Sequence, residues 1–313
     1  MRVLFWGTPE FACPPLRALL GEGFDVVGVV TQPDKPQGRS RSVLVPPPVK
    51  AIAQAEGLQV FQPEKPRGEE FYASLRALEP DLNVVVAYGH ILKREVIELP
   101  PMGTWNIHAS LLPLLRGAAP IQAAIRDGLT ETGVTVMQMV EALDAGPVLL
   151  QRAVPIDDTE TYGELQTRLS ELGAAALIEA LALHEAGALV PAPQDDALAT
   201  YAGKITRAGA WIEWDQPAAV VAREIRGYDP KPGAWTRLRG VETRLFGARV
   251  VPGRSGAPGE VLEIGRNGMV IGTGEGAVLV VVMQVAGKKR MAPSEVAAGR
   301  GVGGGEVLGG RGG

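Results

Sequence analysis

The chain has 313 residues, 46% of them apolar and 5% aromatic, the composition of an ordinary folded protein with room for two cores. No apolar run nears the roughly 18 residues of a membrane span, and Met1-Arg2-Val3 leads straight into a strand pattern, so neither a span nor a leader is expected and the location expected is cytoplasmic. The net charge of −4 conceals a division: from Arg207 onward 15 Lys and Arg face 10 Asp and Glu (+5), while residues 1–206 carry 16 against 25 (−9), so a polyanion is expected to meet the second part.

Val3 to Trp6 reads as a buried strand, Gly7-Thr8-Pro9 as its turn, Glu10 to Leu20 as a helix and Asp25 to Thr31 as a second strand. This βαβ unit predicts an α/β, doubly wound, mostly parallel Rossmann-like sheet. No Gly-x-Gly-x-x-Gly follows the first strand and no Gly-x-x-x-x-Gly-Lys-Ser/Thr occurs, which removes dinucleotide and P-loop readings. The lone Cys13 excludes an internal disulfide, and with His90, His108 and His184 it offers no metal-ligand spacing, so no metal is expected.

A connection of roughly fifteen residues follows Thr31, long for this fold class, and its Gly38-Arg39-Ser40-Arg41 tip can reach phosphates. Helices are expected over 49–56 and 69–78, a short strand over 58–61, and a central apolar strand over 82–87 leading to Tyr88-Gly89-His90. After a short helix from Lys93 to Leu99 comes Thr104-Trp105-Asn106-Ile107-His108. Strand alternation sets Asn106 and His108 on one face at the C-terminal end, where an amide and an imidazole can hold a carbonyl oxygen and move a proton. Pro113 and Gly117 break the chain before a helix opening at Pro120. Strands at 135–140 and 148–155 bracket Asp144, a carboxylate able to orient the imidazole or take a proton, with Glu141 as its rival. A long helix is expected from Thr159 to Ala186, with Leu165, Leu169, Leu172 and Leu181 inward.

Val190 to Asp196 is a Pro-containing polar stretch, giving a domain over 1–189, a linker over 190–206 and a second domain over 207–313. In the latter, short strands at 234–238, 243–250, 259–264, 268–272 and 277–285 alternate with Gly and Pro turns, the pattern of a small β-barrel, with one helix at 218–226. Lys288-Lys289-Arg290 is a compact basic cluster. The last fourteen residues hold eight glycines and are expected to be mobile.

Several stretches carry a resemblance: Gly7-Thr8-Pro9-Glu10-Phe11, Thr31-Gln32-Pro33-Asp34, Val84 to Gly89, Asn106 to Pro113, Arg116 to Gln122 and Leu143-Asp144-Ala145-Gly146. On these the chain resembles the folate-dependent formyltransferase family over nearly its whole length, on the branch acting on methionyl-tRNA. It departs from the family pattern at His90, Leu114-Leu115 and Pro147. The resemblance implies formyl transfer from 10-formyltetrahydrofolate to initiator methionyl-tRNA for translation initiation, with Asn106, His108 and Asp144 catalytic. It implies a folate site along Ser110, Leu111, Leu112 and Pro113, and an OB-like barrel that contacts tRNA, on which the basic cluster Lys288, Lys289 and Arg290 is the candidate for phosphate contact. Arg39 and Arg41 would guide the acceptor end. A monomer without membrane partners is expected. Glycinamide ribonucleotide and amino-sugar nucleotides are the competing acceptors, and an RNA-binding module with a relic first domain is the competing non-enzyme.

Overall fold

The computed structural model describes residues 1–37, 43–299 and 301–310, which gather into two compact units. The first comprises Met1–Gly117, Gly133–Val154 and Gln166–Tyr201, and the second Ala118–Thr132, Pro155–Leu165 and Ala202–Gly313. Among the described residues no helix is long and apolar enough to cross a membrane.

The first unit begins with β1 (Arg2–Gly7), α1 (Cys13–Gly21) and β2 (Asp25–Val30). What sequence reading treats as one long connection contains a short hairpin, β3 (Lys35–Gln37) paired antiparallel with β4 (Val43–Val45). Then come α2 (Pro48–Ala55), β5 (Val60–Phe61), α3 (Glu69–Arg76), β6 (Leu82–Val86), α4 (Arg94–Ile97) and β7 (Thr104–His108). After β8 (Arg116–Gly117) and α5 (Pro120–Arg126), the chain forms β9 (Glu131–Gln138), β10 (Val148–Pro155) and α6 (Tyr162–Glu185). The seven-stranded sheet runs β10-β9-β7-β6-β1-β2-β5, parallel from β5 through β7, with β9 antiparallel to β7. Strands buried on both faces read as continuous apolar runs, and β1 and β6 do.

The polar exception in β6, Asn83, is fully buried and fully bonded. Its Oδ1 accepts from Trp6 Nε1 at 3.1 Å, and its Nδ2 donates to Val96 O at 2.9 Å and to Thr104 Oγ1 at 3.0 Å. Thr104 Oγ1 in turn donates to Ile97 O at 2.8 Å. These bonds tie α4 and the first residue of β7 to the centre of the sheet, which fixes where the far end of β7 emerges. Leu165, Leu169 and Leu181 of α6 are buried as expected, but Leu172 is only half-buried and Leu177 takes the inward position.

The second unit holds α5, β11 (Tyr201–Ala202, at the boundary), α7 (Ala218–Gly227), β12 (Ala234–Leu238), β13 (Val241–Val250), β14 (Val261–Gly265), β15 (Gly268–Gly272), β16 (Ala277–Val285) and α8 (Pro293–Ala298). Its antiparallel sheet runs β12-β13-β16-β15-β14 around a core of Ile212, Trp214, Ile225, Leu245, Met269, Val278 and neighbours. On α5, Arg126 pairs with Glu224 of α7 at 2.9 Å and lies 4.8 Å over the Tyr228 ring. The expectation of a mobile glycine-rich tail is corrected for its described part, 301–310. Val302 and Leu308 are buried, Leu308 N donates to Gly259 O at 2.8 Å, and Gly309 N donates to Arg237 O at 2.9 Å. Two apolar anchors at the edge of β14 outweigh the conformational freedom of the glycines between them.

Candidate active site

Strand β7 brings Asn106 and His108 to one face at its C-terminal end. In register, Asn106 lies opposite Val85 and Met137, and His108 lies opposite Thr135. The Asn106 amide is half-buried and makes no hydrogen bond among the described residues, so both its N–H groups are free. His108 is 6% exposed, and its Nε2 lies 3.0 Å from Leu115 O. A carbonyl can only accept, so Nε2 carries a proton and donates it there. In the neutral ring Nδ1 is then the free base, facing Asp144 Oδ2 at 3.7 Å.

That distance is too long for a direct hydrogen bond. Asp144 faces the imidazole as a charge partner at ion-pair distance, and the direct hydrogen bond that fixes the ring is the one to the Leu115 carbonyl. Asp144 is itself held by the Gly117 N–H, which donates to Oδ2 at 2.8 Å. Asp144 has φ +50° and Leu115 has φ +57°, both in the left-handed region that side chains disfavour.

Ser110 to Pro113 forms the floor beneath this pair. The Ser110 hydroxyl donates to Leu114 O at 2.6 Å, Leu111 O accepts from Leu114 N, and Pro113 O accepts from Thr200 N. Thr135 Oγ1 donates to Ser110 O at 2.7 Å and accepts from Leu112 N at 3.1 Å and Gln151 Nε2 at 3.0 Å. Most backbone carbonyls of this stretch are thus bonded within the chain, and Leu111 and Pro113 are its partly exposed side chains. Thr135→Val should destabilise the fold by about 2 kcal/mol in denaturant unfolding, because it strands Ser110 O and Leu112 N, while Gln151 Nε2 keeps its bond to Leu112 O.

Exposed apolar side chains flank the polar pair in sequence: Ile91 is 80% exposed, Leu143 59% and Leu114 42%. Glu141, the rival carboxylate, is exposed. His90 is exposed against the Tyr88 ring at 5.6 Å, outside this cluster. Burial pushes the Cys13 thiol up to about 11, which keeps it a protonated packing residue.

Arg39 and Arg41 lie outside the described residues. Lys288 and Lys289 are exposed, with no side-chain partner among the described residues. Arg290 differs: its Nη2 donates to Pro230 O at 2.7 Å and its guanidinium lies 3.7 Å over the Phe246 ring, so it anchors the turn. Arg116 and Gln194 escaped sequence reading as parts of the site. Arg116 was visible as a motif residue without a role, and Gln194, fifty positions beyond Asp144, left no local signal.

The formyl transferase family matches residues 1–181, and the formyl transferase C-terminal domain matches residues 204–301. The methionyl-tRNA formyltransferase of Moorella thermoacetica is 47% identical over 99% of this chain and 99% of its own length. The structure of the methionyl-tRNA formyltransferase from Clostridium thermocellum superposes with a TM-score of 0.59 at 15% identity, covering 81% of this chain and 95% of that one. HypX from Aquifex aeolicus, solved in complex with tetrahydrofolic acid, superposes with a TM-score of 0.65 at 22% identity, over 95% of this chain and 46% of that one. An unpartnered amide, a base and a carboxylate at one sheet end, together with this identity along the entire length, mean that the chain belongs to the formyltransferase family, on the branch of the methionyl-tRNA formyltransferases.

Proposed function

We propose that this chain transfers the formyl group of 10-formyltetrahydrofolate to the amino group of methionine on initiator methionyl-tRNA, giving formylmethionyl-tRNA for translation initiation. The observation that carries the reading is the His108 Nδ1 facing the Asp144 carboxylate at 3.7 Å, with the unbonded Asn106 amide two positions earlier on the same face of β7. The neutral amine attacks the formyl carbon, and the carbonyl oxygen becomes an oxyanion that the Asn106 amide N–H can meet. The amine must then lose a proton, and N10 of the folate must gain one as its bond to carbon breaks. His108 Nδ1, the only basic face left on that ring, is suited to carry that proton, with the Asp144 carboxylate stabilising the imidazolium across the gap. The folate ring system is met by the apolar surface of Leu111, Pro113 and their exposed neighbours.

In this reading residues 1–189 form the catalytic domain, 190–206 the linker and 207–313 the tRNA-binding domain, of a cytoplasmic monomer. Arg39 and Arg41 are assigned to the tRNA acceptor end. Lys288 and Lys289 are assigned to phosphates. Lys288→Ala with Lys289→Ala should reduce the slope of log affinity against log salt by about two, the count of lost phosphate contacts, in a tRNA binding titration. An unchanged slope removes this turn from the interface.

The deciding experiment offers formyl-tetrahydrofolate with charged initiator tRNA, with amino-sugar nucleotides and with glycinamide ribonucleotide. Formylation of the methionyl-tRNA alone is expected. Acceptance by either small amine in its place overturns the reading.

A further inference from the structure

The carboxylate loop is held by more than the Gly117 N–H. Gln194 lies in the extended stretch after α6, half-buried. Its Oε1 accepts from Arg116 Nε at 3.1 Å and Arg116 Nη2 at 2.8 Å. Its Nε2 donates to Asp144 O at 2.8 Å and to Gly146 O at 2.7 Å. Arg116 is 3% exposed, and its Nη2 is also held by Asp196 Oδ1 at 2.7 Å.

The next residue after Arg116 is Gly117, the donor to the Asp144 carboxylate. A single amide therefore joins the residue before that donor to the backbone of the acceptor and of the glycine two positions on. Only Asn or Gln can do this, because the side chain must accept from a guanidinium at one atom and donate twice at the other. Asp144 gains from such support, since φ +50° lies in the left-handed region, which costs a side-chain-bearing residue energy even where aspartate tolerates it.

We propose that Gln194 is a positioning residue for formyl transfer: it locks Arg116 to the 144–146 loop and so sets the Asp144 carboxylate against His108. This rests on the role given to Asp144 above. The buried Arg116 is the fixed post, Gln194 the tie, and the strained loop what is tied. Arg116 is buried and both ends of the Gln194 amide are spent on Arg116 and the loop, so the tie acts on turnover more than on substrate binding.

Gln194→Glu separates the two halves of the tie. It keeps the length and the acceptor for Arg116 and removes both donors to the loop. We expect cooperative unfolding with little change in Tm, KM for both substrates within about twofold, and kcat lowered by up to about 100-fold, the scale of an ångström of misplacement. In an Asp144→Asn background the same substitution should cost nothing further, because a group acting through Asp144 has nothing left to position. The Gly117 amide gives a readout without turnover: its proton, downfield and slow to exchange in the wild type, should move upfield and exchange faster in Gln194→Glu. If Gln194→Glu fails to fold, Gln194→Met, equally long and without either polar atom, is read by the same three measurements. Wild-type kcat with an unmoved Gly117 amide overturns the proposal. So does a loss that adds in full to that of Asp144→Asn, which would mean a merely structural role. A wild type that formylates no methionyl-tRNA defeats the functional reading alone, and the Gly117 amide then still decides whether Gln194 holds the loop.

Discussion

Asn106→Ala is expected to lower the single-turnover rate by about 100- to 1000-fold, the usual cost of one oxyanion donor. Its Tm should stay within a few degrees of the wild type. The Asn106 amide bonds to nothing among the described residues, so its removal leaves no buried partner stranded. Asn83, on the neighbouring strand, is the opposite case: with three side-chain bonds in the interior it is a structural asparagine, and its loss should unfold the sheet centre before it touches chemistry. His108→Ala and Asp144→Ala should show comparable rate losses but lower Tm, since each also releases a loop bond, to Leu115 O and from Gly117 N. If Asn106→Ala turns over normally, the oxyanion is met elsewhere and the assignment of the site fails.

The contrast between these two asparagines marks how far the sequence can be read. Periodicity located β7, the central strand β6 and nearly every strand of the second unit, because burial on one or both faces writes itself directly into residue pattern. It placed Asn106 and His108 together for the same reason, two positions apart on one strand. The hairpin at 35–37 and 43–45 leaves no strand signal in the sequence, since three-residue strands carrying Pro36 hold too little pattern. Helix α8 passed unseen between the basic turn and the glycine tail, being only six residues long. The tail itself was misread because composition weighs eight glycines but not the two positions, Val302 and Leu308, where the chain is anchored. What holds the site was the least legible part. Leu115 acts through a carbonyl that any residue would supply, Gly117 through an N–H, and Gln194 across fifty positions, so no side-chain type announces these roles.

Gly146→Ala should impair both stability and turnover, with the larger effect on turnover. A Cβ at this buried glycine would overlap the Gln138 carbonyl oxygen and press on its carbon at 3.0 Å. Neither side can yield easily. Gln138 N donates to Pro147 O at 2.9 Å, closing the turn between β9 and β10 around the point of overlap. Pro147 fixes its own φ, and Gly146 O is held by Gln194. The strain must then leave through the neighbouring residue already in the left-handed region, Asp144. Overpacking of this kind costs about 1–3 kcal/mol. An ångström of displacement at the carboxylate costs about 100-fold in rate. Gly187→Ala is the matching control: that glycine stops α6 at φ +67° with nothing within 4 Å of the added Cβ. It should lose about 1 kcal/mol for its left-handed backbone and retain full kcat. Denaturant midpoints and single-turnover rates on both variants separate the two costs. Should Gly146→Ala lose stability yet turn over like Gly187→Ala, the 144–146 loop does not set the carboxylate, and Asp144 would have to be placed by the Gly117 N–H alone.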